Sequence, residues 1–191
     1  MKRFLALVLL MPAVLLVGCG GGGNSGGNKV EITMEDGGKM TIELLPEYAP
    51  ETVANFKKLV NEGFYDGIVF HRIMSGFMIQ GGDPQGTGMG GSSKNIKGEF
   101  AGNGFEQNTL SHERGVISMA RSGEPDSASS QFFICHGDAS FLDGNYAAFG
   151  RLVDGFDTLD ALAATEVSAS ASGEASSPVE PPVIKSMKLE D

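Results

Sequence analysis

The stretch Lys29-Val30-Glu31-Ile32-Thr33-Met34-Glu35-Asp36-Gly37-Gly38-Lys39-Met40-Thr41-Ile42-Glu43-Leu44 decides the fold class. Val30, Ile32 and Met34 alternate with polar residues, and Met40, Ile42 and Leu44 do the same after Glu35-Asp36-Gly37-Gly38. Alternation with period two puts the apolar set on one face of an extended chain, and a Gly-rich turn between two such runs makes a hairpin. Further short apolar runs follow at 68–73, 77–79, 115–120, 131–135, 147–153 and 183–189, each bounded by Gly, Pro, Asp or Ser. From Lys29 onward 21 of 163 residues are Gly, about 13% against a usual 7%, which implies many tight turns and hence many short strands.

Two segments read as helices. Ala49-Pro50-Glu51-Thr52 starts the first, with Pro near the first turn and an acid at the positive helix end. Val53, Phe56, Leu59 and Val60 give it an apolar stripe, and Asn61-Glu62-Gly63 closes it. The second, 157–164, places Leu159 and Leu162 on one face. Residues 165–178, rich in Ser, Ala and Gly, read as a long surface loop before the last strand. Many antiparallel strands with two helices predict a closed or sandwiched sheet, and a barrel removes exposed edges. The sequence contains no internal repeat.

The chain has 191 residues, enough for one domain of ordinary size beyond its N-terminus. Lys2 and Arg3 precede a 14-residue apolar run at 4–17, too short for a membrane span, which reads as a signal peptide over 1–18. Leu16-Val17-Gly18-Cys19 resembles the bacterial lipobox, in which cleavage precedes a cysteine whose thiol carries a diacylglycerol. Residues 20–28, GGGGNSGGN, are too polar and too flexible to fold, and nine such residues reach roughly 16 Å. The predicted organisation is a signal peptide, a lipidated Cys19 with a tether over 19–28, and a folded domain over 29–191. It implies anchoring on the extracytoplasmic side of a bacterial membrane.

Lys and Arg total 14 against 24 Asp and Glu, a formal net charge of −10. That balance argues against nucleic-acid binding, which needs clustered cations to displace counterions. With Cys19 lipidated, Cys135 is left without an intramolecular disulfide partner. Gly86-Thr87-Gly88-Met89-Gly90-Gly91 fits G-x-G-x-x-G, but no βαβ unit surrounds it, and it reads as a flexible loop. No G-x-S-x-G, C-x-x-C or H-E-x-x-H occurs, and His71, His112 and His136 are far apart, so structural histidines and no metal site are expected. What remains is Phe70-His71-Arg72-Ile73-Met74-Ser75-Gly76-Phe77-Met78-Ile79-Gln80-Gly81-Gly82-Asp83. Alternation there puts Arg72 on the same face as Phe70, a cation where an apolar side chain is expected.

These residues resemble the cyclophilins. Tyr65-Asp66-Gly67, Phe70-His71-Arg72-Ile73, Phe77-Met78-Ile79-Gln80-Gly81-Gly82-Asp83 and Gly86-Thr87-Gly88 match the family's signature. So do Ser118-Met119-Ala120, Ser130-Gln131-Phe132-Phe133-Ile134, Leu142-Asp143-Gly144 and Phe149-Gly150-Arg151, in order along the chain. The resemblance implies a closed eight-stranded antiparallel β-barrel capped by two α-helices and cofactor-free peptidyl-prolyl cis–trans isomerase activity on proline-containing unfolded or exported polypeptides. It maps the catalytic arginine to Arg72, supported by Gln80. The substrate residues map to Phe77, Met78, Gly86, Ala120, Arg121, Gln131, Phe133, Phe141, Leu142 and Tyr146.

The chemistry suits those side chains. Amide resonance imposes a rotation barrier of about 18–20 kcal/mol. Twisting the X-Pro bond frees the prolyl nitrogen lone pair, and a guanidinium aimed at it favours the twisted state over both planar isomers, as catalysis requires. Three departures from the family pattern stand out. Phe141 replaces a frequent Trp, which removes an indole N–H and implies weak cyclosporin binding. Arg121 replaces a groove Asn that works largely through its backbone, and Tyr146 replaces a pocket His. The rival reading is a proline-binding scaffold or holdase chaperone with little turnover.

Overall fold

The computed structural model describes residues 27–190. The predicted signal peptide over 1–18, the lipidation at Cys19 and the tether up to residue 26 lie outside the described residues. Asn28 is already held by the domain, because its carbonyl accepts the Leu44 N–H at 2.6 Å.

The opening hairpin forms as its alternation requires. Strands β1 (Lys29–Met34) and β2 (Lys39–Leu44) pair antiparallel with Val30 opposite Ile42 and Ile32 opposite Met40, all four buried. Gly37 sits at φ +92° in the connecting turn, a conformation costly for any residue with a Cβ, and Asp36 Oδ1 accepts the Gly38 N–H at 2.9 Å.

The remaining strands of the main sheet are β3 (Arg72–Met74), β4 (Met78–Gly81), β5 (Val116–Met119), β6 (Phe132–Cys135), β7 (Ala148–Asp154) and β10 (Ile184–Glu190). They assemble in the order β10-β1-β2-β7-β5-β6-β4-β3, antiparallel throughout. The eight strands match the expectation; the closed barrel does not. The sheet wraps through 213°, an open half-barrel. β3 is only three residues long and forms no ladder with β10. The gap is spanned by one bridge, Val69 to Val183, and by the Phe70 N–H to Pro182 O and Ile184 N–H to Ile68 O bonds.

Residues 165–178, read as a loop, fold instead into a second hairpin, β8 (Val167–Ala169) with β9 (Ala175–Pro178). β9 lies against β3 and so covers the open edge near the site. The low-hydrophobicity Ser, Ala and Gly side chains hide the strand signal, because this hairpin packs at the margin of the core.

Helix α1 (Pro50–Asn61) buries Val53, Phe56, Leu59 and Val60, the stripe read from spacing. Its first turn is capped from outside: the buried Glu99 carboxylate accepts the N–H groups of Glu51 at 3.0 Å and Thr52 at 2.7 Å. A carboxylate there satisfies orphan donors and meets the positive helix end. Helix α2 (Phe156–Ala163) buries Leu159 and Leu162 and packs on β2, β3 and β4. Within the sheet's concave face Phe56 meets Tyr65, Phe132 and Phe149 at centroid distances of 5.1, 5.7 and 5.0 Å. Fully burying each such ring contributes about 1.5–3 kcal/mol.

Candidate active site

Strand register builds the site. Arg72 pairs with Gln80, Gln80 with Phe133, and Phe133 with Ser118, so one row crosses β3, β4, β6 and β5. The next residues, Ile73, Ile79, Ile134 and Ile117, alternate to the opposite face and join the main core. The Arg72 row and its neighbours Met74, Met78 and Cys135 therefore lie on the outer face. There a separate small cluster of Met78, Phe133, Cys135 and Ala139 gathers Met74, Phe77, Ala120, Leu142 and Tyr146 around it.

Arg72 does not share a face with Phe70. Phe70 is buried in the main core, edge-on to Phe132 at 6.0 Å, whereas Arg72 points outward. The alternation fails because β3 begins only at Arg72; residues 67–70 make irregular bonds to 182–184 instead.

Arg72, Phe77, Met78, Gln80, Ala120, Arg121, Phe133, Leu142 and Tyr146 line a single cavity of about 180 Å³. Gln131 lines the adjoining groove of about 470 Å³, shared with Gln80, Ala120 and Arg121. Two sequence-predicted residues stand apart. Phe141 is 69% exposed on the rim, with its ring 5.4 Å from that of Phe77. Gly86 lines neither cavity and faces Val69.

The cavity walls are tied down individually. Tyr146 meets Phe133 edge-to-face at 5.9 Å. The Arg121 side chain is held within the protein. Its guanidinium sits 4.8 Å from the Tyr146 ring and 4.9 Å from the Phe100 ring, and it donates to the carbonyls of Asn145, Ser122 and Gly123. The Gly86–Gly91 segment is not a free loop: the buried Asp83 carboxylate accepts the N–H groups of Gln85, Thr87, Gly88 and Gly90. Burial alone would raise the Asp83 pKa, but these four donors outweigh it and hold it below the usual carboxylate range. Gly82 makes the approach to this loop possible, at φ +85° with a backbone position where a Cβ would press into the Ser130 carbonyl.

Beneath the cavity floor the buried His112 links the buried Ser118 to the exposed Asp143, a triad that no sequence motif marks. His112 Nδ1 donates to Asp143 Oδ1 at 2.7 Å, since a carboxylate can only accept, and its Nε2 takes the Ser118 hydroxyl proton bond at 2.9 Å. Burial pushes the His112 pKa down despite Asp143, which favours the neutral ring. Ser118 is fully buried, which removes it as a nucleophile. The triad is instead a support: His112 stacks on Phe133 at 5.9 Å, and Asp143 follows Leu142 in the cavity wall. Thirty-one positions separate His112 from Asp143, and no local motif marks the pair.

Cys135 is buried and burial pushes its thiol pKa up to about 12, so it is an inert packing residue. Among the described residues no group of three or more His, Cys, Asp or Glu side chains is placed to hold a metal ion. Glu174 is likewise unmarked in the sequence; its carboxylate takes Arg72 Nε at 2.8 Å and Nη2 at 2.9 Å.

An outward arginine thus stands in the wall of a cavity that has an apolar side of Phe77, Met78, Phe133 and Leu142 and opens beside an extended groove. The family model "Cyclophilin type peptidyl-prolyl cis-trans isomerase/CLD" matches residues 29–189, and the chain belongs to that family. It is 50% identical over 124 residues to peptidyl-prolyl cis-trans isomerase B of Bacillus subtilis (strain 168), covering 65% of this chain and 82% of that one. It is 47% identical over 115 residues to a peptidyl-prolyl cis-trans isomerase of Helicobacter pylori (strain J99), covering 60% and 67%. Among solved structures it is similar to a cyclophilin-type isomerase of Cryptosporidium parvum crystallised in the presence of the dipeptide Ala-Pro. That match has a TM-score of 0.73 and 33% identity, over 85% of this chain and 99% of the other. The protein is a peptidyl-prolyl cis–trans isomerase.

Proposed function

We propose that this isomerase acts on X-Pro bonds of exported polypeptides at the outer side of a bacterial membrane, with Arg72 stabilising the twisted amide. The convergence of nine side chains on one cavity, with the Arg72 guanidinium in its wall, carries the reading. The proline ring occupies the apolar end formed by Phe77, Met78, Phe133 and Leu142, and the flanking peptide runs into the groove past Ala120, Arg121 and Gln131. Rotation then moves the preceding carbonyl while the ring is held. As the prolyl nitrogen pyramidalises, an Arg72 N–H donates to its lone pair, and no covalent bond is made or broken. Each tenfold acceleration needs about 1.4 kcal/mol of preference for the twisted state.

Attachment through Cys19 would place the domain where newly exported chains emerge, and two or more acyl chains are needed for a stable hold. Cyclosporin binding is weak in this reading, because Phe141 offers no hydrogen-bond donor. The full chain, added to an Ala-Pro peptide under NMR exchange conditions, should accelerate cis–trans exchange at substoichiometric amounts. Peptide binding in the cavity without acceleration would contradict the catalytic reading and leave a proline-binding scaffold. Mass spectrometry of the mature N-terminus tests the anchor: an unmodified Cys19, or cleavage elsewhere, would contradict it.

A further inference from the structure

The Arg72 guanidinium has five N–H donors, and their distribution is uneven. The Glu174 carboxylate takes one full edge, Nε at 2.8 Å and Nη2 at 2.9 Å, the side-on bidentate arrangement that fixes a guanidinium plane. Nη2 also approaches Met74 Sδ at 3.2 Å. Nη1 is poorly occupied: Gln80 Oε1 stands at 3.4 Å and Met78 Sδ at 3.8 Å. The end with donor capacity to spare is thus the end beside Gln80 and Met78, which line the cavity.

Glu174 is itself held. It immediately precedes β9, its carbonyl accepts the Ser170 N–H at 2.7 Å across the hairpin, and the buried Ser176 hydroxyl bonds its carboxylate. The side chains of Arg72 and Glu174 are 34% and 33% exposed, so water competes only partly for the pair.

We propose that Glu174, delivered by the β8–β9 hairpin, is a positioning residue that locks the Arg72 guanidinium so that Nη1 faces the prolyl nitrogen. This rests on the reading of Arg72 as the donor to the twisted amide. An arginine with several rotatable bonds must otherwise be ordered during each turnover, and a misdirected donor gives no preference for the twisted state. The carboxylate costs some of the guanidinium's positive field in exchange for that order. Positioning outweighs the lost field here because, apart from Glu174, only two thioether sulfurs and a Gln80 oxygen at 3.4 Å hold the Arg72 side chain, and none of them grips it through two bonds.

The full-length protein and its Glu174→Gln, Glu174→Asp, Arg72→Ala and Arg72→Lys variants test this by two independent readouts. In nitrogen-edited NMR the Arg72 Nε–H should give a slowly exchanging, downfield-shifted signal that Glu174→Gln abolishes and Glu174→Asp partly keeps. In the Ala-Pro exchange assay Glu174→Gln should lower kcat about five- to tenfold with KM within about twofold, the loss expected for an unfixed donor. Glu174→Asp should recover part of it, and Glu174→Gln should add no loss in the Arg72→Lys background, where no bidentate grip exists. Unchanged or raised kcat in Glu174→Gln, with Arg72→Ala inactive, overturns the positioning role alone. Full activity in Arg72→Ala overturns the reading of Arg72 and the inference with it.

Discussion

Gln80 Nε2 donates to Gln131 Oε1 at 2.9 Å, and this bond couples the arginine to the groove loop. Gln131 in turn donates to the carbonyls of Gly88 at 3.1 Å and Gly90 at 2.7 Å. Because Asp83 fixes the same loop through its N–H groups, the line from loop to Gln131 to Gln80 to Arg72 is continuous. Sequence alone places these residues in three separate blocks; β4–β6 pairing brings Gln80 near Gln131, the residue just before β6, where their side chains bond.

Gln131→Ala breaks that line at its centre. It leaves the Gln80 amide and two loop carbonyls without partners at a part-buried site. We expect kcat/KM to fall by about tenfold, with KM rising because the groove wall loosens, and global stability to fall by about 1–2 kcal/mol. Steady-state kinetics on a proline peptide series and urea unfolding check both. A variant with unaltered KM would remove the groove from the account.

Two histidines, the half-buried His71 and the buried His112, make stability depend on pH. Burial lowers the pKa of His71, with nearby Asp83 opposing and Arg72 assisting, and burial likewise lowers that of His112. Both start from 6.5 in the unfolded chain, so below that value the unfolded state binds more protons than the folded one. Stability is therefore full above about pH 7 and declines as pH falls through 6.5, by up to about 1.4 kcal/mol per pH unit for each histidine. Both ring nitrogens of His71 are buried without a hydrogen-bond partner, so His71→Phe should flatten the decline without loss of stability at neutral pH. Urea unfolding from about pH 7.5 to about pH 5.5 measures the slope, and a flat wild-type profile would sink this account.

Much of the fold was legible because its signals are local. The alternation in β1 and β2, the apolar stripe of α1 and the glycine-bounded runs all depend on side chains a few positions apart. The failures involve distance or weak side chains. The turn that takes Arg72 off the Phe70 face has no local trace in the sequence, because it follows from the irregular bonds of 67–70 to 182–184. The barrel stays open although the apolar run around β3 suggests closure, because that strand is only three residues long. Glu174 stands 102 positions from Arg72 in a Ser- and Ala-rich segment, so nothing nearby marks it as a site residue. The structure gathers most of the residues mapped from the family blocks around one cavity, while Gly86 in one block and Phe141 beside another sit outside it.

Phe141 offers a separation of inhibitor binding from catalysis. It is exposed on the rim, touches Phe77 and lines neither the cavity nor the groove. Phe141→Trp adds an indole N–H donor at that rim. We expect cyclosporin affinity to rise by about tenfold, the worth of one well-made hydrogen bond of ~1.4 kcal/mol, with kcat/KM changed by less than about twofold. Calorimetric titration beside the exchange assay decides it. Unchanged affinity would contradict the proposal that the missing indole donor weakens cyclosporin binding.

The measurement that bears most directly on the mechanism is NMR exchange of an Ala-Pro peptide with wild-type protein and Arg72→Ala at equal concentration. If Arg72 stabilises the twisted amide, the variant should keep peptide affinity within a few-fold, because the apolar cavity remains. Its catalysed exchange should fall by about 100-fold or more, the loss typical of removing one donor aimed at the transition state. Exchange in Arg72→Ala within about threefold of wild type would contradict the account, since each tenfold of rate answers to about 1.4 kcal/mol of barrier.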